Sequence, residues 1–327
     1  MDIQVLVTGA GGFIGSHLTE ELVRTGYQVR ALVHYNFQNN WGWLETLPEE
    51  VMKNVEVYPA DICDPFAVRK AVVGCDMVYH LAALIAIPYS YIAPASYVEV
   101  NVKGTLNVLQ ACKEEGVRRM VHTSTSEVYG TAQYTPIDEG HPLVGQSPYS
   151  ASKIAADKLV ESYFLSFDLP VATIRPFNTF GPRQSGRAVI PTLIAQALSG
   201  AEVISLGSLN PVRDFNYVKD TVFAYRAIAA CDAAIGKVIN IGPGKGISVG
   251  DLVSAILGIC DSSARIVCDE RRIRPEKSEV FKLICDSERA KEILQWEPQY
   301  SLRQGLEETV RWMRENLSRY KPRIYNV

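Results

Sequence analysis

A chain of 327 residues, 47% hydrophobic and 21% charged, has the length and composition to bury a sizeable core as one large domain or two smaller ones. A net charge of −3 excludes a broadly basic nucleic-acid footprint, and no apolar run reaches membrane-spanning length. The N-terminus enters a strand without the basic region and long apolar stretch of a secretory signal, so the expected setting is cytoplasmic, with no membrane partner.

The first half alternates apolar strands with helical patterns, which argues for a parallel sheet with helices on both faces. Strands are expected at 3–7, 28–33, 55–58, 77–81, 119–123 and 171–174, and helices near 13–25, 65–73, 94–115 and 149–167. Asp64-Pro65 and Pro94 read as helix starts, Gly74 and Gly116 as stops. After Arg175 the rhythm breaks into loops rich in Pro, Gly and Asn (176–187, 207–213, 242–248, 273–278) that separate short helices. Such loops, carried on a rigid scaffold, are where ligand contacts concentrate. Val238–Ile241 returns to buried-strand character, so two lobes are expected to interleave.

The first strand runs into Thr8-Gly9-Ala10-Gly11-Gly12-Phe13-Ile14-Gly15, and a helical pattern with Ile14, Leu18 and Leu22 on one face follows. Gly9, Gly12 and Gly15 permit a tight turn, close backbone approach to a pyrophosphate and close helix–strand contact; the helix N-terminus offers amides to phosphate. A lone glycine triplet is weak evidence, but between a strand and a helix it points to dinucleotide binding and a Rossmann sheet. Tyr149 and Lys153 stand four apart and share one helix face, so an ammonium there would lower the pKa of the phenol. An amphipathic helix with one Tyr and one Lys would look the same over those five residues. Thr125, Ser126 and Glu127 lie about two dozen residues upstream; a poised phenol beside a hydroxyl and a carboxylate is equipment for oxidising a sugar alcohol and then taking a second proton. The seven cysteines form no CxxC pair and the five histidines lack ligand spacing, so no metal and no disulfide framework is expected. His80 closes an apolar run and reads as a strand residue.

Together these residues resemble the extended branch of the short-chain dehydrogenase/reductase superfamily, the nucleotide-sugar-modifying enzymes, over nearly the whole chain. The resemblance rests on the glycine loop, Asp61-Ile62, His80-Leu81-Ala82-Ala83, Asn101, Tyr149/Lys153, Arg175-Pro176-Phe177-Asn178, Arg213-Asp214-Phe215 and Arg274-Pro275. It implies an α/β fold: a Rossmann doubly wound parallel sheet with a smaller interleaved C-terminal substrate-binding lobe. The dinucleotide-binding part would be 1–175, joined by about 212–242; residues 176–211 and 243–327 would form the nucleotide-sugar lobe. Gly9, Gly12, Phe13, Ile14, Gly15, His34, Asp61, Ile62, Leu81, Ala82, Ala83, Tyr149 and Lys153 would contact the cofactor. Asn178, Arg213 and Arg274 would hold the sugar diphosphate, with Arg187 a further substrate-binding candidate; guanidinium forks suit phosphate oxygens.

Thr125-Ser126-Glu127 narrows the subclass. Simple 4-epimerases carry no carboxylate at the Glu127 position. Glucose-nucleotide 4,6-dehydratases typically read Thr-Asp-Glu, whereas mannose-nucleotide dehydratases and uronate decarboxylases read Thr-Ser-Glu, as here. The C5-inverting N-acetylglucosamine dehydratases have lysine in place of this glutamate and lack the tyrosine. The stretches 80–91, 129–191 and 274–279 look most like retaining N-acetylglucosamine-nucleotide 4,6-dehydratases of the legionaminic-acid pathway. In that mechanism Tyr149, helped by Thr125, takes the C4-hydroxyl proton while a hydride passes to the nicotinamide. Glu127 removes the C5 proton, water leaves from C6, and the hydride returns to C6. Ser126 is a poor acid for the leaving hydroxyl, so Glu127 is expected to hand on its proton.

The cofactor regenerates each cycle and should stay bound. The second strand ends Leu32-Val33-His34-Tyr35-Asn36, with no carboxylate for ribose hydroxyls and no arginine for a 2′-phosphate; NADP is slightly favoured over NAD. A uronate decarboxylase, a 4-epimerase and a non-catalytic dinucleotide sensor are the rival readings. A homodimer is expected through the helices near 94–115 and 149–167. These carry more apolar residues (Tyr97, Val98, Val102, Leu106, Val108 and Leu109; Ile154, Leu159, Tyr163 and Phe164) than one sheet-facing stripe needs.

Overall fold

Alternating side chains in the first strand decide the layering. The structure, a computed structural model describing residues 3–322 and 324, places β1 at Gln4–Thr8. Val5 and Val7 face one side, Leu6 the other, and all three are fully buried. A strand apolar on both faces belongs inside a helix–sheet–helix sandwich. The remaining strands are β2 (Gln28–His34), β3 (Val55–Ala60), β4 (Met77–His80), β5 (Arg119–Thr123), β6 (Val171–Pro176), β7 (Val203–Leu206), β8 (Val212–Asp214), β9 (Val238–Ile241), β10 (Gly246–Ser248), β11 (Arg265–Cys268) and β12 (Lys282–Leu283).

Seven of them form one parallel sheet in the order β3-β2-β1-β4-β5-β6-β9. Helices Phe13–Arg24 and Val218–Ala230 cover the Val5/Val7 face. Helices Pro65–Val72, Gly104–Glu114 and Pro148–Phe167 cover the face of Leu6, Val78, Met120 and Val171. Each such wholly buried side chain contributes roughly 1.5–3 kcal/mol. The strand order reverses between β1 and β4, which opens a crevice at their C-terminal ends. This is the expected doubly wound Rossmann sheet. The expected seventh strand lies at its edge.

Local signals account for most boundaries. The Asp64 carboxylate accepts from the amides of Phe66 and Ala67 at 2.9 and 3.4 Å, with Pro65 at the first helical position. Ser147 and Ser150 form a reciprocal capping box ahead of Tyr149, a feature worth about 1 kcal/mol. Strand 77–81 stops at His80: the Leu81 amide is shared between the Thr8 carbonyl at 3.3 Å and Thr8 Oγ1 at 3.1 Å, and the Ala82 amide goes to Thr8 Oγ1. The expected helix 94–115 is a helical run broken by a wider π turn: Pro94–Tyr97, then Val98–Lys103, then Gly104–Glu114. Asn101 in that turn holds Leu84 from both sides, accepting from its amide at 2.8 Å and donating to its carbonyl at 2.9 Å. Such turns mark functional positions more often than chance.

Two small sheets, β10-β8-β12 and β11-β7, lie beyond the large one. β8 pairs with β10 and β12 and carries Arg213. Buried Asp214 locks this unit, its Oδ2 accepting from the amides of Gly244 and Cys285 at 2.9 and 3.0 Å. Among the described residues no helix is long and apolar enough to cross a membrane, and no three His, Cys, Asp or Glu side chains are grouped to hold a metal.

Candidate active site

The glycine loop closes one side of the crevice. A Cβ on Gly9, whose φ is +71°, would lie 2.9 Å from the backbone of Ala82, and one on Gly15 would lie 2.2 Å from the Gly9 carbonyl. Thr8 Oγ1 accepts from the amides of Leu81 and Ala82 at 3.1 Å each. The loop and the Leu81–Ala83 segment are thereby pressed together at the β1/β4 switch point, and Phe13, Ile14 and Gly15 open the helix above it. First-turn amides have no partner inside their own helix. Exposed Gly12 leaves the approach clear. This cradle fits a dinucleotide pyrophosphate.

His34 and Ala60 pair in register, so His34 and Asp61 close adjacent strand ends and both are exposed. Asp61 Oδ1 accepts from the Cys63 amide at 2.8 Å, and buried Ile62 packs on Gly104. After His34 the chain folds onto itself, Asn36 donating to the carbonyls of His34 and Asn40 at 3.2 and 2.8 Å. The next carboxylate, Glu45, is committed to the Trp41 amide at 2.9 Å.

Across the crevice, Thr125 caps the turn Ser126–Tyr129, its hydroxyl accepting from the Glu127 amide at 3.2 Å. Tyr149 is buried in the first turn of its helix, edge-on to Tyr97 with ring centroids 6.2 Å apart. Burial pushes its phenol well above the usual range, a hydrogen bond with Thr125 opposes this, and the Glu127 charge adds to it. Lys153 is buried one turn on. Its Nζ donates to the Thr123 carbonyl at 2.7 Å, and burial pulls its ammonium down to about 8 against the opposing pull of Asp157. The expected acidification of Tyr149 by Lys153 is therefore corrected: the phenol is raised, because desolvation outweighs every favourable neighbour and the lysine points to a backbone oxygen. Ser126 is buried beside Glu127.

The substrate candidates divide. Arg213 is buried, pushed down by desolvation, raised by the Glu127 charge, lowered by Arg274 and raised by Glu279. Glu279 Oε1 lies 3.3 Å from Arg213 Nη2 and 3.6 Å from Arg274 Nη1, so both guanidiniums converge on one carboxylate. Asn178 Nδ2 is buried with no hydrogen-bond partner in the protein. Exposed Arg187 is near enough to Tyr97 for its charge to lower that phenol against the upward push of burial.

Three polar residues carry roles that the sequence reading did not assign, although Asn101 and Glu279 lie in its motifs. Glu279 has no local signal; only folding brings it to the arginines. Asn101 also donates to Ser152 Oγ at 2.9 Å, tying the π turn to the Tyr149 helix. Asp157, four residues past Lys153, was legible as a same-face position but carried no mark of its burial. His80 is the buried strand end expected, its Nδ1 2.9 Å from Thr8 Oγ1.

Residues 6–309 match the GDP-mannose 4,6 dehydratase family. The chain belongs to that family. Within the extended short-chain dehydrogenase/reductases, the family's relatives of this chain include nucleotide-sugar dehydratases and decarboxylases. The UDP-N-acetyl-alpha-D-glucosaminuronate decarboxylase of Bacillus cytotoxicus is 33% identical, over 96% of this chain and 99% of that protein. The dTDP-glucose 4,6-dehydratase of Streptomyces griseus is also 33% identical, over 99% and 98%. The fold superimposes on the dTDP-glucose 4,6-dehydratase DesIV of Streptomyces venezuelae, solved with NAD and TYD bound, with a TM-score of 0.87 at 29% identity, covering 98% of this chain and 99% of that one.

Proposed function

We propose that the chain is an NAD(P)-dependent nucleotide-sugar 4,6-dehydratase of the retaining legionaminic-acid type. It converts an N-acetylglucosamine nucleotide, carried on UDP or GDP, to the 4-keto-6-deoxy product. The observation that supports this best is the place of Glu127: its charge acts on both the Tyr149 phenol and the Arg213 guanidinium. A carboxylate thus lies within electrostatic reach of both the phenol and an arginine suited to the diphosphate.

Gly9, Gly12, Phe13, Ile14, Gly15, Leu81, Ala82 and Ala83 would hold the dinucleotide, with Asp61 and Ile62 at the adenine and His34 at the ribose. A bound nicotinamide would supply the hydride acceptor for C4 and the hydride donor for C6. The residues manage the protons. Tyr149 takes the C4-hydroxyl proton as the phenolate, the form that its contact with Thr125 favours against burial. Lys153 keeps a positive charge one turn away. The C4 ketone acidifies C5–H; Glu127 takes that proton and passes it to the C6 oxygen, which leaves as water, and as the hydride reaches C6 a proton is returned to C5, balancing the one Tyr149 took from the C4 hydroxyl. Asn178, Arg213 and Arg274 anchor the diphosphate, and Arg187 approaches the sugar from the Tyr97 side. In this reading residues 1–175 with about 212–242 serve the dinucleotide, and 176–211 with 243–327 the nucleotide sugar. NADP is favoured over NAD because Glu45 is tied into its own loop and no other carboxylate follows His34 there. The setting is cytoplasmic and the assembly a homodimer.

A second reading, uronate decarboxylation, draws on buried Arg213 facing Glu127, a cation available to a sugar carboxylate. Mass spectrometry after incubation with UDP- and GDP-linked N-acetylglucosamine and N-acetylglucosaminuronate separates the two. Loss of one water from an N-acetylglucosamine nucleotide without added reductant is expected; loss of carbon dioxide from the uronate alone would replace this reading by the second.

A further inference from the structure

Behind Tyr149 and Lys153 lies a buried polar cluster that the proposed chemistry does not use. Asp157 sits one helical turn past Lys153, 6% exposed. Its Oδ1 receives His122 Nε2 at 3.1 Å. Its Oδ2 accepts from Ser124 Oγ at 2.6 Å and from Arg175 Nη2 and Nε at 2.8 and 3.3 Å. Arg175 Nη1 reaches Tyr129 Oη at 3.0 Å, and Tyr129 donates to Asn240 Oδ1 at 2.7 Å. One carboxylate thereby ties the Tyr149 helix to the end of β5, to β6 and, through Arg175, to the end of the turn that starts at Thr125.

The arrangement has a direct geometric consequence. Lys153 holds Thr123 and Asp157 holds His122 and Ser124, so two residues of one helix clamp the three positions immediately before Thr125. A shift of that strand end relative to the helix would change the Thr125–Tyr149 approach directly. The charged and titratable groups around Asp157 are Lys153 and Tyr149 from its own helix, His122 from β5 and Arg175 from β6, with the His80 ring of β4 tilted 5.7 Å from that of His122. Burial holds His80 well below its ordinary range and also lowers His122, against the pull of Asp157, and the Lys and Arg side chains whose charges act on the carboxylate are Lys153 and Arg175.

We propose that Asp157 is a positioning residue: it fixes the strand end 122–124 against the helix of Tyr149 and supplies the buried negative charge that keeps Lys153 an ammonium. This rests on the reading of Tyr149 and Lys153 given above. A purely structural anchor would hold the backbone equally well but would leave the proton affinity of Lys153 untouched.

The test is Asp157→Asn, nearly isosteric and uncharged, read in the full-length enzyme. Side-chain ¹⁵N NMR of the lysines, with Lys153 assigned by its loss in Lys153→Arg, follows the titration without substrate. Wild-type Lys153 is expected to titrate near 8 and the variant about one pH unit or more lower. The kcat should fall roughly 10–100-fold with little change in KM, and its alkaline limb should move to lower pH with the lysine. Ser124→Ala keeps the charge and loses one tether, so it should lower kcat without moving that limb. Where Asp157→Asn does not fold, Asp157→Glu takes its place: retained charge predicts a wild-type alkaline limb with reduced kcat, and a displaced limb would overturn the proposal. Wild-type titration of Lys153 in Asp157→Asn, or a kcat within about twofold of wild type, would do the same. A wild-type protein that transforms no N-acetylglucosamine nucleotide would instead fail the functional reading, with the NMR titration still deciding the role of Asp157.

Discussion

Lys153 donates from Nζ to the carbonyl oxygen of Thr123 at 2.7 Å. The bond joins the helix of Tyr149 to the strand that delivers Thr125. A charged donor to a backbone oxygen is among the stronger hydrogen bonds. It directs the ammonium under the site, and the phenol is left with Thr125 as its favourable neighbour.

Replacing Tyr149 by Phe keeps the buried ring and its packing on Tyr97 but removes the oxygen. Turnover should fall on the order of 10²–10⁴-fold, the usual contribution of one acid–base group, with the melting temperature nearly unchanged. Steady-state kinetics checks this, and near-wild-type turnover would assign the proton to another group.

Glu127→Gln is nearly isosteric but cannot accept the C5 proton. Oxidation at C4 should survive in part while water loss stops. Stopped-flow absorbance of reduced nicotinamide should show a transient that persists, with no dehydrated product by mass spectrometry. Wild-type product formation would remove Glu127 from the chemistry.

Asp214 carries a pH signature in stability. Burial raises its carboxyl from 3.8 to about 6, although the amides of Cys285, Gly244 and Lys245 pull the other way. The native state therefore holds this proton more tightly than the unfolded chain. The stabilisation is full below about pH 4 and is lost as pH rises through about 6, by at most about 3 kcal/mol. Asp214→Asn cannot ionise, so its stability relative to wild type should improve between pH 4 and 7 in denaturant titrations. A difference independent of pH would show that the backbone hydrogen bonds dominate.

A cofactor that returns to its starting state each cycle gains nothing by leaving. The purified protein should release stoichiometric nicotinamide dinucleotide on denaturation, with NADP the expected form by chromatography. NAD alone in the extract would refute the cofactor preference and leave the mechanism standing.

Some of the apolar surplus on the two long helices is used internally: Tyr97, Val108, Leu109 and Tyr163 are buried. Ile154, Leu159 and Phe164 pack partly on the core, while Val98 and Leu106 face outward at 55% and 38% exposure, joined by Leu165 at 71%. Light scattering at micromolar concentration should give a dimer mass, and Leu106→Glu with Leu165→Glu should shift it toward monomer while the fold is retained. A monomeric wild type would show that these residues do not form an interface.

Much of the architecture was legible because it is written in short-range chemistry. The apolar run of β1, Asp64-Pro65 and the glycine loop each act within a few residues, and strand, helix start and loop form where they were expected. The pairing of Tyr149 with Lys153 was also local, since one helical turn sets it. Its electrostatic sense was not: whether an ammonium acidifies a neighbouring phenol depends on burial and on what else the ammonium can reach, and Thr123 lies 30 residues upstream. The same limit hid Glu279 between Arg213 and Arg274, and the service of Asp157 to β5 and β6. The sequence by itself determined the parallel sheet, the dinucleotide cradle and the helix face that carries phenol and ammonium, because hydrophobic period and turn chemistry act locally. Only the tertiary structure decided which charges are desolvated and which partners they find, because dielectric environment and long-range hydrogen bonds exist only once the strands are assembled.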